Sequence, residues 1–226
     1  MAVLVRVARA ADNRQIAAIW NHEALATVAT TDTEARTPHA QRAWLRAHDE
    51  EYPVVVAVED DEVLAFGALS PYRPKPSYRR TVEDSVYVKD GYRGKGLGSL
   101  VLDRLVALAR AGGHHSMLAR ITAENEPSLR LHERHGFVQA GREREAAFKL
   151  DRWLDVLRLQ LMLSPGDSRQ EHDLPVRAAL EDERVGGGRF LERQLLAHHR
   201  PQGAVGQARH EAGVDRRQFL WAGVEE

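Results

Sequence analysis

TVEDSVYVKDGYRGKGLGS, residues 81–99, decides how the rest of the chain is read. Val82, Val86 and Val88 fall on one side at period two, and β-branched residues favour strands. Gly94, Gly96 and Gly98 follow, interleaved with Arg93, Lys95 and Leu97, and a helical pattern starts at once. Glycines at this spacing remove Cβ atoms where the backbone must come close to something. The first N–H groups of a helix are unpaired and carry partial positive charge, so they suit an anion such as a phosphate. Arg93 and Lys95 add full charges. A dinucleotide fingerprint would read G-x-G-x-x-G with an acid about twenty residues on, and this R-x-x-G-x-G spacing is different.

Working outward, the chain has 226 residues and a net charge of −1, enough for one ordinary domain and an appendage. Acids and bases are interspersed, so no nucleic-acid footprint or polybasic membrane surface is expected. The absence of cysteine excludes disulfides, thiolate metal sites and a cysteine acyl-enzyme. Arg6 and Arg9 stand too early for a signal-peptide core, and no apolar run reaches transmembrane length, so a soluble cytoplasmic protein is expected.

In order, Val3 to Val7 reads as a first strand. Asp12 caps a helix with Gln15 at the capping-box position, and Ile16, Ile19 and Trp20 form its apolar face. Thr37-Pro38 opens a second helix with Trp44 and Leu45 as core contacts. Val54 to Val58 and Val63 to Leu69 form a hairpin around an acidic turn. Ser70 to Arg80 is a polar, irregular loop and a candidate substrate loop. Leu97, Val101, Leu105 and Leu108 recur at helical spacing until Gly112-Gly113. Met117 to Ile121 is a strand. Asn125 caps a helix that ends at Gly136 and Phe137 in a Schellman stop. Glu143 to Lys149 and Trp153 to Leu163 close the domain, with Trp153, Leu157, Leu159, Leu161 and Leu163 as the apolar side. The domain is therefore 1–163. The tail, 164–226, has no lysine, nine arginines and little periodicity, and it reads as mostly disordered with a possible short helix at Phe190 to Leu196. Truncation after the domain is expected to leave folding and activity intact.

Two elements together carry a resemblance. The glycine loop and the stretch from Asn125 through Ser128 to Gly136-Phe137, whose Asn125 stands 27 positions after Gly98, resemble the coenzyme A-binding elements of the GNAT superfamily of N-acetyltransferases. Asn21-His22, Tyr52-Pro53, Thr81-Val82-Glu83, Ser85 to Val88, Leu131-His132-Glu133, and Lys149 with Trp153-Leu154-Asp155-Val156 resemble the phosphinothricin and methionine sulfoximine N-acetyltransferases. The resemblance covers Val3 to Leu163. It implies an α/β fold with a mixed central sheet, splayed where acetyl-CoA enters, and flanking helices. One position departs: phosphinothricin acetyltransferases carry histidine just after the lysine matching Lys149, and here it is Leu150. This favours the methionine sulfoximine-like members.

The resemblance assigns residues. Arg93, Gly94, Lys95, Gly96, Leu97, Gly98 and Ser99 would hold the pyrophosphate of acetyl-CoA. Val86, Tyr87 and Val88 would bind the acetyl carbonyl and pantetheine arm through backbone, and Asn125 and Ser128 would add contacts. Asn125 can do this and cap its helix together. Glu83 is the candidate base, because an amine must lose its proton before attacking a thioester. A glutamate among apolar strand residues has its pKa raised, which suits that role. His132 stands where many members place a tyrosine thought to protonate the leaving thiolate; it reads equally as a helix histidine that packs. Arg73 and Arg79 are the candidate ligands of the substrate's acceptor oxygens, and Asn21 a further substrate contact. No metal is expected, and the pairs His114-His115 and His198-His199 read as solvated. The expected partner is a small-molecule amine, with a homodimer as the expected assembly. The alternatives are acetylation of peptide N-termini and a non-catalytic acyl-CoA-binding protein.

Overall fold

The computed structural model of the protein describes residues 3–163. The tail from 164 onward lies outside the described residues, and with it His198-His199 and the short helix expected at Phe190 to Leu196. The elements are β1 (Leu4–Val7), α1 (Asn13–Ala26), α2 (Pro38–Ala47), β2 (Val54–Glu59), β3 (Glu62–Pro71), β4 (Thr81–Val88), α3 (Leu97–Ala111), β5 (Ser116–Thr122), α4 (Glu126–Arg134), β6 (Val138–Lys149) and β7 (Arg152–Met162). One seven-stranded sheet runs in the order β1-β2-β3-β4-β5-β7-β6. Only β4 and β5 pair in parallel; the other neighbours are antiparallel. This is the mixed α/β sheet that the sequence predicts.

Helices cover both faces. Leu97, Val101, Leu102 and Leu105 of α3 pack with Val55, Val82, Met117 and Leu159 on one side of the sheet, joined by Leu129 and Leu131 of α4. Ile16, Ile19 and Trp20 of α1 pack with Val54, Val56, Phe66 and Tyr87 on the other, joined by Trp44 and Leu45 of α2. The unbroken valine run of β2 follows from this: a strand buried on both faces shows no alternation. Thr37 caps α2 by accepting from the Ala40 N–H at 3.1 Å, as its place before Pro38 predicts. Asp60 and Asp61 take φ of 48° and 64°, which suits the two-residue turn of the β2–β3 hairpin. The α4 stop is a Schellman motif: Phe137 N–H donates to His132 O at 3.1 Å, Gly136 N–H to Glu133 O at 3.0 Å, and Gly136 has φ of 85°.

Five local expectations are corrected. Asp12 makes no side-chain cap on α1; its carboxylate takes the Arg6 guanidinium at 2.7 and 2.9 Å and the Arg9 N–H at 2.6 Å. A charged partner across the turn outcompetes a neutral cap. Gln15 bonds Asp61 O and the Val63 N–H instead of closing a capping box, and so ties α1 to the hairpin. β6 begins at Val138 rather than Glu143, because as an edge strand it carries exposed polar residues that hide its period. Trp153 is 60% exposed, whereas Leu154 and Val156 are buried, so β7 supplies apolar residues to both faces. His114 is also corrected: it is buried, its Nε2 lies 3.3 Å from Glu51 O, and its ring packs near Tyr52.

Gly67 sets how closely α3 lies on the sheet. A Cβ there would stand 2.7 Å from Val101, 2.8 Å from Leu105 and 2.8 Å from the Ser85 carbonyl. Gly67→Ala is therefore expected to destabilise the fold by about 1–3 kcal/mol through overpacking. Urea unfolding measures it; an unchanged midpoint would show that α3 can move away freely.

Candidate active site

Strand pairing between β4 and β5 stops at Asp84 opposite Ala119. Beyond that point Ser85 to Val88 remain paired to β3 alone, and their β5-facing edge opens into a fork. Glu83 and Asp84 stand at its base. Being adjacent in a strand, they point to opposite faces.

Asp84 points to the α3–α4 side and meets α4. His132 Nε2 lies 3.0 Å from Asp84 Oδ2, and both side chains are almost fully buried. His132 Nδ1 faces Ser128 O at 2.7 Å, so each ring nitrogen meets an acceptor. Burial pushes the imidazolium down, but the Asp84 charge, its hydrogen bond and the Ser128 bond outweigh it, and the pKa is raised. His132, held at both ring nitrogens, thus fastens α4 to the fork. Asp84 Oδ1 remains buried without a hydrogen-bond partner.

Glu83 points to the other face. Its Oε2 is buried without a partner. Burial pushes the carboxyl up to about 7; Arg120 and Arg73 oppose this, and Asp84 and Glu143 add to it. A carboxylate at that value is an effective proton acceptor near neutrality.

The glycine loop lies where β4 hands over to α3. Gly94 and Gly96 have φ of 78° and 81°, and a Cβ on either would meet nothing within 4 Å. The space around the loop is thus open, and Gly96 caps α3, whose first N–H groups face it unpaired. Gly98 brings α3 against α4 and β4: its Cβ would stand 3.1 Å from Leu131 and 3.6 Å from Val88. Loop, strand and α4 thus meet at the start of α3, and the open cradle with its unpaired N–H groups has the space and polarity for an anion such as a pyrophosphate. Arg93 is held to Glu23 of α1 at 2.5 Å. Lys95 Nζ sits 4.6 Å over the Tyr92 ring. Ser99 Oγ lies 3.1 Å from His135 Nε2. Asn125 accepts the Ser128 N–H at 3.3 Å, and Ser128 Oγ lies 3.4 Å from His132 Nδ1.

The remaining predicted residues divide. Arg73 lies over the Tyr72 and Tyr78 rings, within electrostatic reach of Glu83. Arg79 is exposed at the end of the short turn Pro76–Tyr78. Asn21 brackets the backbone of Arg36: its Oδ1 accepts the Arg36 N–H at 2.8 Å and its Nδ2 donates to Arg36 O at 3.2 Å. Tyr87 turns its ring away from the fork to stack on Phe66. Among the described residues no cluster of three or more potential ligands could hold a metal, and no helix is long and apolar enough to cross a membrane.

The sequence reading missed Asp84, although it is the one charged residue in the period-two series Val82, Val86, Val88. It also missed Arg36, whose guanidinium lies 3.6 Å over Trp20 and 4.5 Å over Trp44, a contact between separate segments. Burial lowers the Arg36 pKa to about 10. The end of α1 and the 27–36 segment after it are pinned at three further points. Thr122 Oγ1 donates to Val28 O at 2.6 Å, and Lys149 Nζ donates to Glu23 O at 3.1 Å and to Thr30 O at 2.8 Å.

Asp84→Asn removes the carboxyl group facing the buried His132 ring. It is expected to lower the His132 pKa in an NMR titration and to cost about 3–5 kcal/mol. Because the folded pKa is raised, the pair's contribution is full below the unfolded value of about 6.5 and fades as pH rises through the folded one. A variant with parental stability at acidic pH would remove the pair from this role.

The family model described as the Acetyltransferase (GNAT) family matches residues 15–137. The chain is 39% identical over 170 residues to an L-amino acid N-acyltransferase of Escherichia coli, covering 75% of this chain and 97% of that one. It is 39% identical over 167 residues to an L-methionine sulfoximine/L-methionine sulfone acetyltransferase of Pseudomonas paraeruginosa, covering 73% and 97%. A phosphinothricin acetyltransferase from Sinorhizobium meliloti, solved in complex with acetyl-CoA, superposes with a TM-score of 0.69 at 32% identity, covering 75% of this chain and 93% of that one. The chain therefore belongs to the GNAT family of acetyltransferases.

Proposed function

We propose that the protein transfers the acetyl group of acetyl-CoA to the α-amino group of a small amino acid or analogue of the methionine sulfoximine or phosphinothricin kind. The carrying observation is Glu83: a carboxyl raised to about 7, with a buried unpartnered oxygen, at the point where β4 and β5 part. Its proton affinity matches the task of taking a proton from an ammonium near neutral pH. The amine then attacks the thioester carbonyl carbon, the carbon–sulfur bond breaks, coenzyme A leaves as thiolate, and the proton shed by the acylated nitrogen neutralises that thiolate. Backbone amides of Val86 and Val88 at the open edge oppose charge on the carbonyl oxygen. His132, with both ring nitrogens already facing acceptors, offers no free N–H to the departing sulfur and instead positions α4 against the fork. The gly-rich cradle and α3 take the pyrophosphate. Arg73, oriented by two tyrosine rings, receives the amino acid carboxylate.

Two measurements test this reading. Glu83→Gln keeps size and removes the base, so free-thiol release with methionine sulfoximine is expected to fall by about 10²-fold or more in kcat. Acetyl-CoA affinity should hardly change. In the parent, kcat/KM for the amine should rise with pH through about 7, because the base works only when deprotonated. Near-parental turnover at all pH values in the variant would remove Glu83 from the mechanism.

Gly96→Val tests the cradle. At φ of 81° a β-branched residue is strained, and its side chain would enter the open space of the loop. Calorimetry should show severely weakened acetyl-CoA binding in a folded protein; parental affinity would place the pyrophosphate elsewhere.

A further inference from the structure

On the acceptor face of the sheet, register places Glu83, Leu118, Arg120, Arg158, Gly141 and Glu143 on the same side. Arg120 is one strand over from Glu83 and two residues along, roughly 8 Å between Cα atoms from ordinary strand spacings. Arg158 lies directly opposite Arg120 on β7, one strand further. Glu143 of β6 stands between the two guanidinium groups, with Oε2 3.3 Å from Arg120 Nη2 and Oε1 3.6 Å from Arg158 Nε. Two guanidinium groups thus share this one carboxylate.

Three features distinguish this from an ordinary surface ion pair. Arg158 Nε is buried without a hydrogen-bond acceptor, since 3.6 Å is too long for one. The Arg158 guanidinium rests on Gly141, where a Cβ would stand 2.8 Å from Nη2 and 3.2 Å from Nε. The slot thus depends on the absence of a side chain. All three charged side chains are only about a third exposed, at 36% and 37%, yet such pairs contribute little to stability. A buried donor with nothing to bond is what a missing anionic ligand would satisfy.

We propose that Arg120 and Arg158, balanced by Glu143, form a second anion subsite that receives the distal acidic group of the amino acid side chain. This rests on the acetyltransfer reading above, with the α-amino group at Glu83 and the α-carboxylate at Arg73. A glutamate-length side chain then extends along the strand direction toward Arg120, and its terminal oxygens meet the two guanidinium groups. Arginine pairs recognise planar or tetrahedral oxyanions through parallel N–H bonds. These residues set specificity and do not touch the reacting carbonyl.

The test compares two acceptors of nearly equal shape, phosphinothricin with an anionic phosphinate and methionine sulfoximine with a neutral end. The parent is expected to favour phosphinothricin in kcat/KM by roughly tenfold, the scale of a charge-assisted bond. Arg158→Gln and Arg120→Gln should erase that preference through KM for phosphinothricin, leaving KM for acetyl-CoA unchanged. Gly141→Ala should do the same through Arg158 alone. Glu143→Gln should move the other way, strengthening the preference, because it frees both cations. A purely structural role would not produce this gain. Equal use of both acceptors by the parent, or a preference untouched by Arg158→Gln and Glu143→Gln, overturns the subsite alone. Turnover of neither acceptor while acetyl-CoA still binds overturns the amino acid reading and the subsite with it.

Discussion

The end of pairing between β4 and β5 is the constraint on which the molecule depends. Parallel strands that separate inside a domain leave backbone groups without partners, which is costly unless something else bonds them. The sheet meets this by holding the fork open from both faces. On one, Asp84 and His132 fasten α4 to the last paired residue. On the other, Thr122 at the end of β5 donates to Val28 of the segment that follows α1. The fork is therefore kept by side chains from both helical layers, and neither layer can shift without disturbing the other.

The two carboxylates at the fork show how neighbouring residues acquire opposite properties. Asp84 faces the His132 ring at hydrogen-bond distance, and this contact raises the imidazole's pKa. Glu83 has two arginines in electrostatic reach but bonds neither through Oε2, and burial prevails. Strand alternation alone separates them. The phosphate cradle is joined to the same frame: Arg93 reaches Glu23 on α1, and the Glu23 carbonyl accepts from Lys149 at the end of β6. Cradle, α1 and the last hairpin are thus linked through one buried glutamate.

Much of this was legible in the chain. The valine period of β4, the glycines and the Asn125 cap announce the fork and cradle because each is a local device with a fixed spacing. Glu83 was legible for the same reason. What escaped are contacts between distant segments. The Arg36 guanidinium between Trp20 and Trp44, and Arg158 lying over Gly141, depend on register and loop path, which no short-range pattern encodes. The failed Asp12 cap has a related cause, since Arg6 stands just upstream but reaches Asp12 only once the chain has turned. The length of β6 was hidden by exposure, because an edge strand carries little apolar signal.

These origins bear on how selectivity is built. Arg73 belongs to a loop and is steadied only by Tyr72 and Tyr78, through their rings and the Tyr72 hydroxyl, so it keeps the freedom to follow a ligand. Arg120 and Arg158 stand on central strands, one of them seated on a glycine, and cannot follow a ligand that fits badly. Groups fixed on strands discriminate more sharply than groups on loops, because a mismatch cannot be relaxed away. Leu150 adds to this. It occupies a left-handed turn position, φ 51°, and replaces the histidine of the phosphinothricin acetyltransferases with an apolar side chain. Under the proposed subsite, the strand arginines take the place of that histidine as the groups facing an acidic side chain.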